Sequence, residues 1–295
     1  MQSADFLSAV FFYLKEGENL NQNWIVENLN NAFSTWNGKL DELWGLVTTG
    51  PQTFKGGAVW SVMQTLHNGM VGIGYALVVL FFAISLCKNT MNFHELKRPE
   101  AAIHYFLRFV AAKALVGYGM DIMLNVFSIC NGIVTDMADS MGGISEAMVS
   151  LPAEMQTAIE NVGFLASIPL WLVTILGSLF ITVLSFVMIL TVYGRFFRLY
   201  MYTALAPLPL AAFAGESTQS VGISFLKSYV GVCLEGAVIV LACVIYSAFV
   251  STPTVTSGEA TTIVWSFFAE TVFNMLVLVG LIKGSDRIIH EMMGL

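Results

Sequence analysis

The chain has 295 residues, of which 56% are hydrophobic and 11% charged, and its mean hydropathy is +0.74. Soluble domains contain about 25% charged residues, so this composition excludes an ordinary water-soluble protein and indicates a polytopic membrane protein. The net charge of -7 says less than the placement of Lys and Arg, because that placement sets the orientation of membrane spans.

Residues 1–59 are predicted to form a segment outside the membrane that contains an amphipathic helix, and residues 60–295 are predicted to form the transmembrane domain. Between residues 24 and 47, large apolar residues recur at three- and four-residue steps, the spacing of one helical face. That face packs on the chain's own spans, lies on the lipid surface or contacts a partner subunit, and the pattern does not separate these alternatives. The face comprises Leu29, Phe33, Trp36, Leu40, Leu43, Trp44 and Val47.

Five apolar stretches are long enough to cross a bilayer as helices. Lipid offers no partners for open backbone groups, so a helix is the structure expected for each of them. The predicted fold class is therefore all-α, a polytopic membrane helical bundle. The five predicted spans cover residues 60–87, 101–134, 163–193, 222–250 and 263–282.

Basic residues favour one orientation of these spans. Lys and Arg follow the first, third and last spans, whereas the loops 135–162 and 251–262 contain neither. The positive-inside rule then places the N-terminus outside and the C-terminus in the cytoplasm. The acidic outer loop 135–162 is either simply solvated or a docking patch. The basic residues concerned are Lys88, Lys97, Arg98, Arg195, Arg198, Lys283 and Arg287.

The stretch RFFRLYMYTALAPLPLAAFAGE, residues 195–216, is apolar but contains Pro207 and Pro209. Proline removes a backbone donor and interrupts a helix. A full crossing here would also reverse the last two spans and place Lys283 and Arg287 outside. We therefore predict an interfacial or re-entrant element on the cytoplasmic side, with a Pro-kinked sixth span as the alternative.

Ionisable residues inside spans are costly and are candidates for function. Lys113 and Glu235 are predicted at similar depth, so they either pair across the second and fourth spans or face a common aqueous lumen. Asp121 and Glu270 are further candidates for polar pore faces. Asn274 lies one turn from Glu270, on the same face of the last span.

Two other groups of residues have predicted roles. Arg195 and Arg198 are predicted to form a cytoplasmic basic patch that contacts lipid headgroups or DNA phosphates. Small residues of the fourth span are predicted to allow close helix packing: Ser224, Ser228, Gly231 and Gly236.

No motif typical of an enzyme, a cofactor site or a metal site occurs in the sequence, so we expect no catalysis, no cofactor and no metal.

The central block YGRFFRLYMYTALAPLPLAAFAGESTQSVGISFLKSYVGVCLEGAVIVLACVIYSAF resembles the common region of TrbL-like inner-membrane subunits of type IV secretion and conjugation systems. In this block a span ending at Arg195 is followed by the apolar APLPLA element, a short polar turn and a span containing Gly and Ser. The similarity covers residues 60–290.

The resemblance implies a channel or scaffold subunit of a conjugative type IV secretion system, which helps form the path of DNA or protein across the cytoplasmic membrane. It also implies a homo-oligomeric ring, with a pentamer expected. The implied partners are membrane lipids, other secretion subunits, ATPases and, transiently, the transferred DNA. A stand-alone transporter or channel for small solutes is the alternative.

Overall fold

The structure is a computed structural model that describes residues 2–90, 99–140, 148–160, 162, 164–249 and 260–294. Across these residues the chain is helical and contains no strand, which confirms the predicted all-α class. Lys97, Arg98 and most of the loop 251–262 lie outside the described residues. The helices are α1 (Gln2–Thr48), α2 (Ala58–Thr90), α3 (Pro99–Gly117), α4 (Gly119–Ser140), α5 (Ala153–Glu160), α6 (Phe164–Leu205), α7 (Pro207–Ala211), α8 (Gln219–Phe249) and α9 (Ala260–Met293).

Several helices are long and apolar enough to cross a membrane, so the chain is a multi-pass membrane protein. In the described part of the chain, four single helices meet this criterion, and a bent pair makes a fifth candidate if it counts as one span. The single helices are Phe54–Lys88, Ile168–Leu205, Gln219–Phe249 and Thr262–Met293. The bent pair is Ile103–Gly117 with Gly119–Ser140.

The predicted second span, 101–134, is not one straight helix, because the chain bends by 72° between α3 and α4. Gly117 and Gly119 flank the break at Tyr118, and glycine weakens a helix because it loses more conformational freedom on folding than other residues. Gly119 also allows close packing, since a Cβ atom there would lie 3.2 Å from the Leu210 Cδ1 atom.

One compact unit comprises Met1–Trp44, Met141–Thr191 and Leu241–Lys283. Within it Phe33 of α1 packs edge-on against Phe267 of α9, with ring centroids 6.4 Å apart. The Asn37 amide donates to the Val149 carbonyl at 2.7 Å and accepts from the Val149 N–H at 2.9 Å, which ties the segment before α5 to α1. The amphipathic helix is thus confirmed, and its apolar face packs on the chain's own helices. Of that face Leu29, Phe33, Trp36, Leu40 and Leu43 are buried.

The other compact unit comprises Gly45–Ser140, Val192–Val240 and Gly284–Leu295. The short helix α7 packs here against α2 and α3. A Cβ atom on Gly74 of α2 would lie 3.0 Å from the Pro207 carbonyl oxygen and 2.9 Å from Val116 Cγ1, so glycine is needed at this crossing. The core of this unit includes Val78, Val116, Met123, Phe127, Cys130, Leu210, Tyr229 and Cys233.

The stretch that begins at Arg195 is divided between α6, α7 and a short 3-10 helix, Ala212–Ala214. The predicted end of the third span at residue 193 is wrong, because α6 continues to Leu205 and no proline interrupts it between Arg195 and Leu205. The following helix α7 has 5 residues, which gives it a length of about 8 Å, too short to cross a bilayer as a separate span. The interfacial or re-entrant placement of this element remains a prediction.

At the end of α6, Pro207 leaves the Thr203 carbonyl without its helical donor, and His67 supplies a hydrogen bond to it instead. In a continuous helix the N–H of residue 207 would bond the Thr203 carbonyl, but proline has no N–H. His67 Nδ1 lies 2.7 Å from that carbonyl oxygen. Because a carbonyl only accepts, Nδ1 carries the proton, and this buried hydrogen bond ties the end of α6 to α2.

Candidate functional site

Helix α6 carries two arginines three residues apart, in the unit that contains residues 192–240. Arg195 is fully buried, and the Arg198 side chain is 28% exposed. A guanidinium keeps its charge in proteins and has five N–H donors. Each arginine therefore needs acceptors inside a bundle that is otherwise apolar.

Arg195 uses backbone carbonyls as its acceptors. Its Nε and Nη2 atoms donate to the carbonyls of Val232 and Cys233 on α8, and Nη1 donates to the Val47 carbonyl, each at 3.3 Å. Val47 stands near the end of α1, and the residue four positions on is Pro51, which has no N–H to offer. A cation is favourable at a helix C-terminus, so Arg195 caps α1 and fastens it to α8.

Gly236 makes this arrangement possible. A Cβ atom at residue 236 would lie 2.7 Å from Arg195 Nη1 and 2.8 Å from Arg195 Cζ. The guanidinium can therefore reach the α8 backbone only because this residue lacks a side chain. On α4, the Phe127 ring centroid lies 6.0 Å from the guanidinium carbon, a cation–π contact.

Arg198 uses carboxylates instead. Its Nη2 atom lies 2.7 Å from both carboxylate oxygens of Glu235 on α8, and its Nη1 atom donates to Asp286 on α9. Ser285 Oγ donates to Glu235 Oε1 at 3.2 Å. His290 Nε2 lies 3.6 Å from Asp286, one turn further along α9.

The network consists of Arg195, Arg198, Glu235, Ser285 and Asp286. Its two guanidiniums and two carboxylates balance in charge, which lowers the cost of placing them among apolar helices. Glu235 is 1% exposed, so its pairing with Arg198 is the buried part, whereas the Asp286 side chain is 42% exposed. The arrangement fixes α6, α8 and the end of α9 relative to each other within this unit.

The network does not have the residues of a metal site. Among the residues that the structure describes, no group of three or more His, Cys, Asp or Glu side chains is placed to hold a metal ion. The acceptors of Glu235 are engaged by Arg198 and Ser285. The geometry therefore supports a structural or conformational role for the network.

Of the two alternatives predicted for Lys113 and Glu235, the ion pair does not form. Glu235 is buried against Arg198, and Lys113 is exposed on α3. The predicted exposed basic patch also needs correction, because Arg195 is fully buried on carbonyl oxygens and Arg198 is bonded to two carboxylates. Both corrections have one physical reason: α6 continues past residue 193 and carries the arginines into contact with α8.

The other predicted residues have varied surroundings. Asp121 on α4 and Glu270 on α9 are exposed, and Asn274 is buried. Gly231 meets Ile289 of α9, since a Cβ atom on the glycine would lie 2.9 Å from Ile289 Cγ2. In the fourth predicted span, Ser224 is exposed, Ser228 is half-buried, and Gly231 and Gly236 lie at close contacts. In the proline element, Pro207 is buried and Pro209 is half-buried.

Sequence reasoning missed Ser285 and Asp286. The last span was predicted to end at residue 282, and neither residue was assigned a role. The available signal was the absence of Pro between residues 260 and 293, and the structure continues α9 through that whole range. His67 was missed as well, and its signal was Pro207, which leaves a carbonyl that needs a donor.

Comparison with known proteins gives one family. A family model described as "TrbL/VirB6 plasmid conjugal transfer like protein" matches residues 36–207, which is more than half of the chain. The matched range extends from the second part of α1 to Pro207 and includes Arg195 and Arg198. Neither a curated protein nor a solved structure matches the chain.

Proposed function

Because the chain belongs to the TrbL/VirB6-like family of plasmid conjugal transfer proteins, we propose that it is a membrane-embedded channel or scaffold subunit of a conjugative type IV secretion system. In this role it helps form the path of DNA or protein across the bacterial cytoplasmic membrane. The family match over residues 36–207 carries the proposal, since it includes three candidate spans and the start of the proline turn. No catalytic role is proposed.

Two features of the bundle support a role in which the helices are kept in defined positions. Charged groups inside membrane helices are costly and usually have a function. Here Glu235 is 1% exposed and bonded to Arg198, in a network that joins α6, α8 and α9. A break also divides the α3–α4 pair, and breaks in spans are tolerated where protein or water satisfies the backbone.

Assembly with other subunits belongs to the same proposal. Four or five spans make a monomer too narrow to enclose a nucleic acid or a protein, so a wide path needs a symmetric ring of copies, and a pentamer is proposed. The ring lies in the cytoplasmic membrane, with residues 1–59 outside and the C-terminus in the cytoplasm. Its partners are lipids, other secretion subunits and ATPases, with transient contact to the transferred DNA.

Cross-linking during mating tests the proposed path. Donor cells that carry a tagged chain are treated with formaldehyde while transfer proceeds, the chain is purified under denaturing conditions, and the transferred DNA strand is quantified in it. A donor whose coupling ATPase is inactive provides the control. If the path carries DNA, the transferred strand is enriched in mating donors and absent from that control.

Two other results would narrow or contradict the proposal. Enrichment of a secreted protein without DNA would assign the path to protein alone. Capture of neither substrate from a donor that transfers normally would contradict the conduit role. If deletion of the gene also left transfer unchanged, the stand-alone solute transporter would be favoured.

A further inference from the structure

Helix α4 presents three different faces. Its buried face contains residues spaced three or four positions apart, and three of them, Met123, Phe127 and Cys130, belong to the core of its unit. A second face is exposed and apolar, with Ile129 69% and Ile133 46% exposed. The third face is exposed and polar, and it lies opposite the buried one. The buried face comprises Gly119, Met123, Phe127, Cys130, Val134 and Ala138, and the polar face comprises Asp121, Asn125, Ser128, Asp136 and Asp139.

This polar stripe does not suit lipid. The helix has 22 residues, about 33 Å of length, comparable to the hydrocarbon core of a bilayer. The exposed isoleucines suit acyl chains, but carboxylates and an amide on the same helix do not. In keeping with this, α4 meets the apolar criterion for a span only together with α3.

A cleft lies beside the stripe, between α4 and the turn that precedes α2. Its volume is about 530 Å³, and its wall on α4 includes Asp121, Asn125, Ser128 and Asn131. Asn131 donates to the Thr48 carbonyl at 3.3 Å, while its Oδ1 atom is buried without a hydrogen-bond partner among the described residues. A polar cleft of this size has room for water, which supplies partners for such atoms.

The charged residues of α4 all have one sign. No Lys or Arg occurs between residues 114 and 194, whereas the stripe carries Asp121, Asp136 and Asp139. Uncompensated carboxylates along a groove attract cations and repel anions. A phosphate backbone would therefore find no counter-charge on this helix.

From these observations we infer that the polar stripe of α4 faces water inside the membrane and forms part of the wall of the translocation path. The inference deepens the proposed function and rests on it. Ile129 and Ile133 face lipid, the core face holds α4 in the bundle, and the stripe and its cleft are filled with water. The three carboxylates make this wall selective for cations and keep a passing polyanion away from it.

Cysteine labelling in intact donor cells tests which faces of α4 meet water. Asn125→Cys and Ser128→Cys sample the stripe, and Ile129→Cys and Ile133→Cys are matched controls on the same helix. All four are made in a Cys87→Ser background, because Cys87 is exposed whereas the other native cysteines are buried. A membrane-impermeant methanethiosulfonate reagent is applied, and labelling in denaturing detergent gives the total thiol for each variant.

The inference predicts labelling of the two stripe variants and protection of the two isoleucine variants. Labelling of all four would overturn it, since α4 would then lie outside the lipid. Protection of all four would also overturn it, since the stripe would then be covered by protein. Transfer frequency is measured in the same cells. If deletion of the gene leaves transfer unchanged, the proposed function fails whatever the labelling pattern is.

A charge test uses the same variants. At Asn125→Cys, a cationic reagent should react faster than an anionic one after each rate is normalised to a free thiol. Adding Asp121→Asn, one turn away, should lower that ratio about fivefold. Adding Asp139→Asn should leave it unchanged, because residue 139 is about 21 Å along the helix, beyond the screening length of about 8 Å. An equal effect of both substitutions, or no effect of Asp121→Asn, would refute the acidic wall.

Discussion

Replacing Glu235 by Leu leaves Arg198 without its buried partner, which makes this substitution a direct probe of the network. Removing one member of a buried ion pair costs about 3–5 kcal/mol. Arg198 would keep Asp286, and its side chain is 28% exposed, so solvent reduces the loss. We therefore expect Glu235→Leu to lower the free energy of unfolding by about 2–3 kcal/mol.

The reverse substitution is expected to cost more. Arg198→Met leaves a carboxylate that is 1% exposed with Ser285 as its remaining donor, so the full cost of about 3–5 kcal/mol applies. Removing both charges together leaves no unpaired buried ion. The double variant should lie within about 1 kcal/mol of the wild type.

The assay is a titration of the purified chain in mild detergent micelles with a denaturing detergent, followed by circular dichroism. Asp286→Asn is the control, and because Asp286 is 42% exposed its loss should cost only about 0.5–1 kcal/mol. The two single variants and the double variant form a cycle with an expected coupling of at least about 4 kcal/mol. Strictly additive effects would refute the pairing of Arg198 with Glu235.

Two further predictions concern residues that the network and the proline turn depend on. Gly236→Ala should destabilise the chain by about 2 kcal/mol, because the added methyl group displaces the Arg195 guanidinium. Gly280→Ala, with nothing within 4 Å, should be neutral or stabilising, and equal effects of the two in the same titration would contradict this reasoning. His67→Phe should cost about 1–3 kcal/mol because the buried Thr203 carbonyl loses its donor. The loss should appear as a lower Tm, and Tm values equal to the wild type would argue against this bond.

The helices could be predicted from the sequence because their signals are local. The buried residues of α1 recur with helical period, and each of the apolar stretches exceeds the thickness of a bilayer. The break at Tyr118 was harder to predict from the sequence. Its signal is the flanking pair Gly117 and Gly119, and glycine is also common in membrane helices. The helix ends were harder still: α6 runs to Leu205 and α9 to Met293, both beyond the apolar cores of their spans.

The partner of Glu235 could not be predicted from depth alone. Distance along a span gives the level of a residue in the membrane but not the direction in which its side chain points. Lys113 lies at the predicted level and is exposed, whereas Arg198 was predicted in the interfacial or re-entrant element after the third span. The Arg195 site was hidden for another reason, because its acceptors are backbone carbonyls, which carry no sequence signature.

Conjugative transfer from a donor that lacks the gene tests the central claim most directly, namely that this chain is a working subunit of a conjugative secretion system. The gene is restored in the donor or, as a control, only in the recipient, with equal amounts of protein in the membrane. The account predicts that deletion reduces transfer to the level of a donor without its coupling ATPase, and that only restoration in the donor recovers it. Transfer at the wild-type frequency after deletion, in a donor without a second copy of the gene, would contradict the account.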